Sequence, residues 1–326
     1  MDLTNRPRRL RRDAMRYLVS ESQIGADDLV APVFVDATAD APIDIPSMPG
    51  YQRHPLDIVS EHVASLRATG VQSIILFGIP SDKDETGSRA YADDGVIQRA
   101  LRSIDDEVDD QLTVMTDVCL CEYTSHGHCG VLDNDGSMTV DNDPSVDLLA
   151  QTALSHVRSG ADVVAPSASL DGMVTGIRER LDSAGYTATP IISYSVKYHS
   201  NFYGPFREAA EGAPTFGDRR HYQMDPANGR EARREARLDI DQGADVVMVK
   251  PAMPYLDVIA DLRETIDVPI AAYQVSGEYA MIQAADEQGW LDGEATAREA
   301  LISMKRAGAD FIISYFTPAL LKNGLD

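Results

Sequence analysis

The chain has 326 residues, 44% of them hydrophobic, enough for two ordinary domains or one large α/β barrel. Its 29 basic residues stand against 52 acidic ones, a net charge of −23 that argues against nucleic acid as a partner, because phosphate recognition is electrostatic. No stretch approaches the ~20 apolar residues of a membrane span. The first thirty residues lack the apolar centre of a secretory leader, so a cytoplasmic location with reduced thiols is expected.

The N-terminus runs against the overall charge. Arg6, Arg8, Arg9, Arg11, Arg12 and Arg16 stand against only Asp2 and Asp13. Such a segment is either a solvated basic tail or an arm lying on the acidic surface of a neighbouring subunit. We take residues 1–28 as the arm and 29–326 as the catalytic domain.

Eight continuous apolar runs follow: Leu29–Val35, Ser73–Ile79, Leu112–Leu120, Asp162–Ala168, Pro190–Lys197, Asp245–Pro251, Pro269–Ser276 and Asp310–Phe316. Helical patterns lie between them, among them Asp57–Arg67, Ser145–Arg158, Val174–Ala184, Pro226–Gln242 and Tyr255–Ile266, with Pro144 and Pro226 near helix starts. Three junctions share one phrase, Ser159-Gly-Ala-Asp-Val-Val, Gln242-Gly-Ala-Asp-Val-Val and Ala307-Gly-Ala-Asp-Phe-Ile, with Thr69-Gly-Val-Gln-Ser-Ile a looser copy. Glycine there suits the left-handed end of a helix. A strand apolar on both faces belongs in a parallel sheet covered by helices. Eight strands alternating with helices predict a (β/α)8 TIM barrel with an extended N-terminal arm. A doubly wound sheet is the alternative, but no glycine-rich phosphate loop follows any strand.

In such barrels the chemistry sits at the C-terminal ends of the strands. The third strand ends in Asp117 and the cysteines, the fourth near Ser167, the fifth in Lys197 and the sixth in Lys250. The seventh ends in Tyr273 and Ser276, the eighth in Ser314 and Tyr315.

All three cysteines, Cys119, Cys121 and Cys129, fall within eleven residues. An odd count without a leader argues against a disulfide. Three thiolates leave an open position for water or substrate, as in a catalytic zinc site; a closed structural site would recruit His126 or His128 as fourth ligand. Two of only five lysines, Lys197 and Lys250, point into the same mouth. An ammonium beside a second cation in a poorly solvated place gives up its proton near neutral pH and can attack a ketone. Lys250 closes the more apolar strand and is expected to be the less solvated of the two. A single such lysine would read equally well as an anion anchor. The segment 198–223 is long for a loop and reads as a lid whose arginines clamp a carboxylate or are merely solvated.

Five segments in order, Thr116–Gly130, Ser193–Ala209, Gly217–Asn228, Gly243–Pro254 and Tyr273–Met281, closely resemble the porphobilinogen synthase (5-aminolevulinate dehydratase) family. The resemblance runs over essentially the whole chain from Arg8. It implies condensation of two 5-aminolevulinates to porphobilinogen, with loss of two waters, in tetrapyrrole (haem) biosynthesis. On matching positions it implies that Lys250 holds the first substrate as a Schiff base and Lys197 engages the second. It implies Ser276 and Tyr315 at the first carboxylate, and Arg207, Arg219 and Gln223 at the second. Asp117 becomes a proton-transfer or orienting residue, with Tyr273 and Ser167 lining the substrate site. Cys119, Cys121 and Cys129 match the zinc-dependent branch. Glu235 matches an allosteric magnesium position of some members, or is a solvated helical carboxylate. The family also implies a homo-octamer whose arms embrace neighbouring barrels. Acidic residues in excess and few lysines depart from most members, and suit a high-salt, halophilic cytoplasm in which salt relieves self-repulsion. A class I aldolase-like lyase would use Lys250 but leave the cysteines and second lysine idle, and a non-catalytic zinc barrel would leave both lysines idle.

Overall fold

A computed structural model describes residues 4–108, 111–133 and 138–325. Positions 1–3 of the arm, two positions of the acidic run 105–110 and residue 326 lie outside the described residues. The eight expected strands are present: β1 (Leu29–Asp36), β2 (Ser73–Ile79), β3 (Thr113–Val118), β4 (Val163–Pro166), β5 (Ile192–Lys197), β6 (Val246–Lys250), β7 (Ile270–Gln274) and β8 (Phe311–Ser314). Each pairs in parallel with its neighbour in sequence, and β8 pairs with β1. A bridge from Val164 to Ile191 joins β4 to β5 and closes the ring. This is the (β/α)8 barrel.

Both faces of each strand are apolar because both are covered. On β2, Ile75, Phe77 and Ile79 pack in one cluster with Phe34, Tyr194 and Tyr273, while Ile74 and Leu76 pack with Val59, Val63 and Leu66 of the following layer of helices. The helix Val59–Ala68 supplies that layer, and helices Val96–Glu107, Asn142–Arg158, Met173–Ser183, Arg230–Asp241, Leu256–Arg263, Ser276–Glu287 and Gly293–Ala307 continue it. Val96, Ile97, Ala100, Leu101 and Ile104 are the buried stripe of one such amphipathic helix.

The repeated phrase has a second purpose beyond its glycine. Gly70, Gly160, Gly243 and Gly308 have φ of +101°, +110°, +105° and +124°, as helix ends require. The aspartate after each Gly-Ala reaches sideways to the neighbouring strand. Asp162 Oδ2 accepts from Val114 N, Asp245 Oδ2 from Ile191 N and Asp310 Oδ2 from Ile270 N, each at 2.8 Å. Each staples the start of one strand to the next. In the looser copy, the carbonyl of Gln72 accepts from Thr113 N at 3.0 Å instead.

Three details differ from expectation. The helix expected from Pro226 begins at Arg230, because Asp225 draws the N–H groups of Ala227 and Asn228 into a turn first. Ser276 opens a helix rather than ending a strand. A short pair of strands, Ile43–Asp44 and Gln52–Pro55, lies against the end of β1; both are too short and polar to show periodicity. The basic N-terminal residues lie in an exposed turn, Pro7–Arg11, and a single helical turn, Asp13–Arg16.

Asp245→Ala should leave Ile191 N–H without its acceptor and lower stability by about 1–2 kcal/mol. Urea unfolding would read that loss, while activity of the folded fraction stays unchanged.

Candidate active site

Both lysines end strands at the same mouth, and both are buried, Lys197 6% and Lys250 5% exposed. The expected difference in solvation is therefore not one of exposure. It lies in their partners. Lys197 Nζ donates to the Ser167 carbonyl. Lys250 Nζ is instead roofed by rings, 4.3 Å from the centroid of Tyr273, 4.9 Å from Tyr194, 5.2 Å from Phe206 and 5.4 Å from Tyr203. Burial, and then the charge of Lys197, lower the Lys250 ammonium from 10.5 to about 7. Tyr194 lies beneath both amines, 5.7 Å from Lys197 Nζ. Strand alternation places Tyr194 and Lys197 on opposite faces, which is why sequence reasoning missed the tyrosine. A register shift between Ser193 and Val196 brings both inside.

Asp117 faces the amines. Ser167 Oγ donates to its Oδ2 at 3.0 Å, and its Oδ1 is buried without a partner. Burial, and then the nearby Glu122, raise its carboxyl from 3.8 to about 7, against the pull of both lysines. The mouth thus holds an acid and an amine that both change charge near neutrality. Glu122 is a second residue not expected from sequence. It is 3% exposed and burial also pushes its carboxyl up.

The three thiols converge just beyond β3. Their Sγ atoms lie within 4.8 Å of one another, with Cys119 and Cys121 at 3.3 Å. Hydrogen bonds from the other two pull the Cys129 thiol well below its ordinary value. No histidine joins them among the described residues. His126 Nε2 lies 3.2 Å from the Glu85 carbonyl and accepts at Nδ1 from His128 N. His128 is engaged by Tyr222 Oη and the Phe216 carbonyl. The four-ligand site with a histidine is thus not formed, and the donor set is the one that leaves a position open.

Segment 198–223 crosses this mouth, with a short helix, Gly204–Ala209, inside it. Arg219 is 5% exposed and donates to the carbonyls of Gly127 and Gly212. Arg207 is easier to deprotonate because of its burial and the Arg219 charge. Arg207 Nε, Arg219 Nε and both amide atoms of Gln223 are buried without partners. Two crowded cations and unpartnered polar atoms are a donor set of the kind that suits an anion. On the opposite side, Tyr273 Oη and Tyr315 Oη are 3.0 Å apart. Ser276 Oγ accepts from Phe206 N at 2.9 Å. Glu235 lines a cavity of about 400 Å³ with Asp171 and Asp239, and Lys197, Tyr194 and Gln223 of the mouth line it too.

Residues 4–323 match the family model described as Delta-aminolevulinic acid dehydratase. The chain belongs to that family. The dehydratase of Archaeoglobus fulgidus is 55% identical over 310 residues, 95% of each chain. That of Halalkalibacterium halodurans is 51% identical over 317 residues, 97% of this chain and 95% of the relative. A crystal structure of the Toxoplasma gondii ME49 dehydratase, in complex with its reaction product porphobilinogen, superposes with a TM-score of 0.95 at 42% identity. The match covers 98% of this chain and 91% of that one. The chain is therefore an enzyme of the lyase class, and no helix among its described residues is long and apolar enough to cross a membrane.

For a dehydratase whose Lys250 ammonium is lowered to about 7, the amine is free above that pH and charged below it. Reductive trapping of 5-aminolevulinate on Lys250 should rise from about pH 6 to about pH 8 and then level off. A rate that keeps climbing towards the ordinary lysine value would contradict this.

Proposed function

We propose that two 5-aminolevulinates condense in this mouth to porphobilinogen with loss of two waters, Lys250 capturing the first and Lys197 engaging the second. The single observation that carries the reading is the pair of buried amines over one tyrosine ring, one of them free near neutrality. Two ketones call for two activating amines, and two carboxylates for two anchoring sets. Lys250 attacks the first ketone, and a water leaves as the imine forms. Ser276 and Tyr315 hold that substrate's carboxylate, with Tyr273 at their side. Arg207, Arg219 and Gln223, carried on the lid at 198–223, take the second carboxylate. Asp117, oriented by Ser167 Oγ and poised near pH 7, receives and returns protons beside the amines.

The three buried thiols suit zinc, and Cys119, Cys121 and Cys129 would hold it. Bound there, zinc would supply a Lewis acid that polarises the second substrate's carbonyl or a water. Glu235, close to the carboxylates of Asp239 and Asp171, would be a magnesium ligand there, since magnesium takes oxygen donors. The arginine-rich arm, exposed and opposite in sign to the rest of the chain, serves self-association into a homo-octamer. The charge of −23 suits a halophilic cytoplasm, where salt screens self-repulsion.

Purified protein given limiting 5-aminolevulinate and borohydride should acquire one substrate mass, mapped to Lys250, and without borohydride should form a pyrrole detectable by colour. An adduct on Lys197 alone, or pyrrole without any adduct, would overturn the assignment.

Cys121→Ser should bind less than one zinc per chain and lose turnover, with circular dichroism like that of the parent. Global unfolding of this variant would make the cysteines structural.

A further inference from the structure

Glu278 has no exposure at all and makes no salt bridge among the described residues. A buried carboxylate without a cation is costly unless its oxygens are hydrogen-bonded. Here Oε1 accepts from Met253 N at 2.6 Å and Oε2 from Val275 N. Burial pushes this carboxyl up to about 8, against the pull of backbone donors at Val275, Met253 and Ala252. The donors are what matter. Ala252 and Met253 lie two and three residues beyond Lys250, at the end of β6. Glu278 itself lies two residues beyond Ser276, in the first turn of the helix after β7. One side chain therefore ties the backbone that carries Lys250 to the turn that carries Ser276. Another side-chain link between these segments is weak, Gln274 Nε2 to Met253 Sδ at 3.7 Å.

We propose that Glu278 is a positioning residue for the first substrate, setting the separation between the amine of Lys250 and the carboxylate anchor at Ser276. The proposal rests on the roles given to those two residues above. 5-Aminolevulinate is short, and it must meet the amine at its ketone while its carboxylate stays anchored. Both contacts form together only if the two backbones keep their spacing, and a displacement near 1 Å costs on the order of a hundredfold in rate. Ionised, as it is above about pH 8, Glu278 presents two acceptors to two converging N–H groups. A glutamine would aim its own N–H₂ at one of them.

The test is the rate of borohydride trapping on Lys250 at pH 9, where Glu278 is ionised, with kcat and KM, in the parent, Glu278→Gln and Glu278→Asp. In the folded Glu278→Gln protein, trapping and kcat should fall about tenfold or more while KM changes little. Glu278→Asp, which keeps both acceptors, should recover part of that loss. Parent-like trapping in Glu278→Gln would overturn the proposal. So would two variants equally impaired in melting temperature and turnover, or unfolded alike, because Glu278 would then serve the fold alone. An adduct that maps away from Lys250 in the parent itself would instead remove the underlying assignment, and this proposal with it.

Discussion

The structure turns on two ammonium-bearing side chains held in one water-poor mouth. Lys197 and Lys250 end adjacent parallel strands, β5 and β6, paired residue against residue, so the barrel's closure leaves them no route apart. Rings around Lys250 remove water without offering a counter-charge, and a second amine nearby adds repulsion. The strain of that arrangement is relieved by losing a proton, which converts a surface-type cation into a nucleophile. Asp117 responds in the opposite sense to the same burial. An acid and a base are thereby brought to a common pH by one cause, exclusion of water.

Segment 198–223 contributes to that exclusion through Phe206, and it rests on the cysteine loop. Thr215 N donates to the His126 carbonyl, His128 meets the Phe216 carbonyl, Arg219 donates to the Gly127 carbonyl and Cys129 N donates to Tyr222 Oη. The His128 ring and the His126 carbonyl are therefore joints between the cysteine loop and segment 198–223. Further along, Lys83 Nζ donates to the Glu211 carbonyl and Arg53 pairs with both Glu211 and the buried Asp36. In a chain with only five lysines, one fastens segment 198–223 and two are buried at the strand ends. Phe206, from segment 198–223, forms part of the roof over Lys250.

Much of this was determined by the sequence alone. Eight apolar runs, each too apolar for a half-exposed sheet and four of them preceded by a helix-ending glycine, admit little besides a closed parallel barrel. Once the barrel is assumed, the polar residue at the end of each run must face the mouth, which brings Lys197, Lys250, Asp117 and the cysteines together without coordinates. The cysteines declare themselves by crowding, since rare thiols gather only for a purpose.

Tertiary structure decided what period and spacing cannot encode. Tyr194 enters the site through a one-residue irregularity in β5, and a bulge leaves no mark on the hydrophobic pattern. Glu122 and Glu278 read as ordinary surface acids in the sequence; only packing shows that both are buried, and that Glu278 holds two backbone segments together. The similar exposure of Lys197 and Lys250 was equally hidden, because the groups around each, the Ser167 carbonyl for Lys197 and the rings of Tyr194, Phe206 and Tyr273 for Lys250, come from other strands and loops. The aspartates of the repeated phrase are visible as letters, yet the strand each one staples is set by the closing of the ring. Local sequence chooses elements through propensity and pattern, whereas burial and hydrogen-bond partners are properties of the whole enclosure.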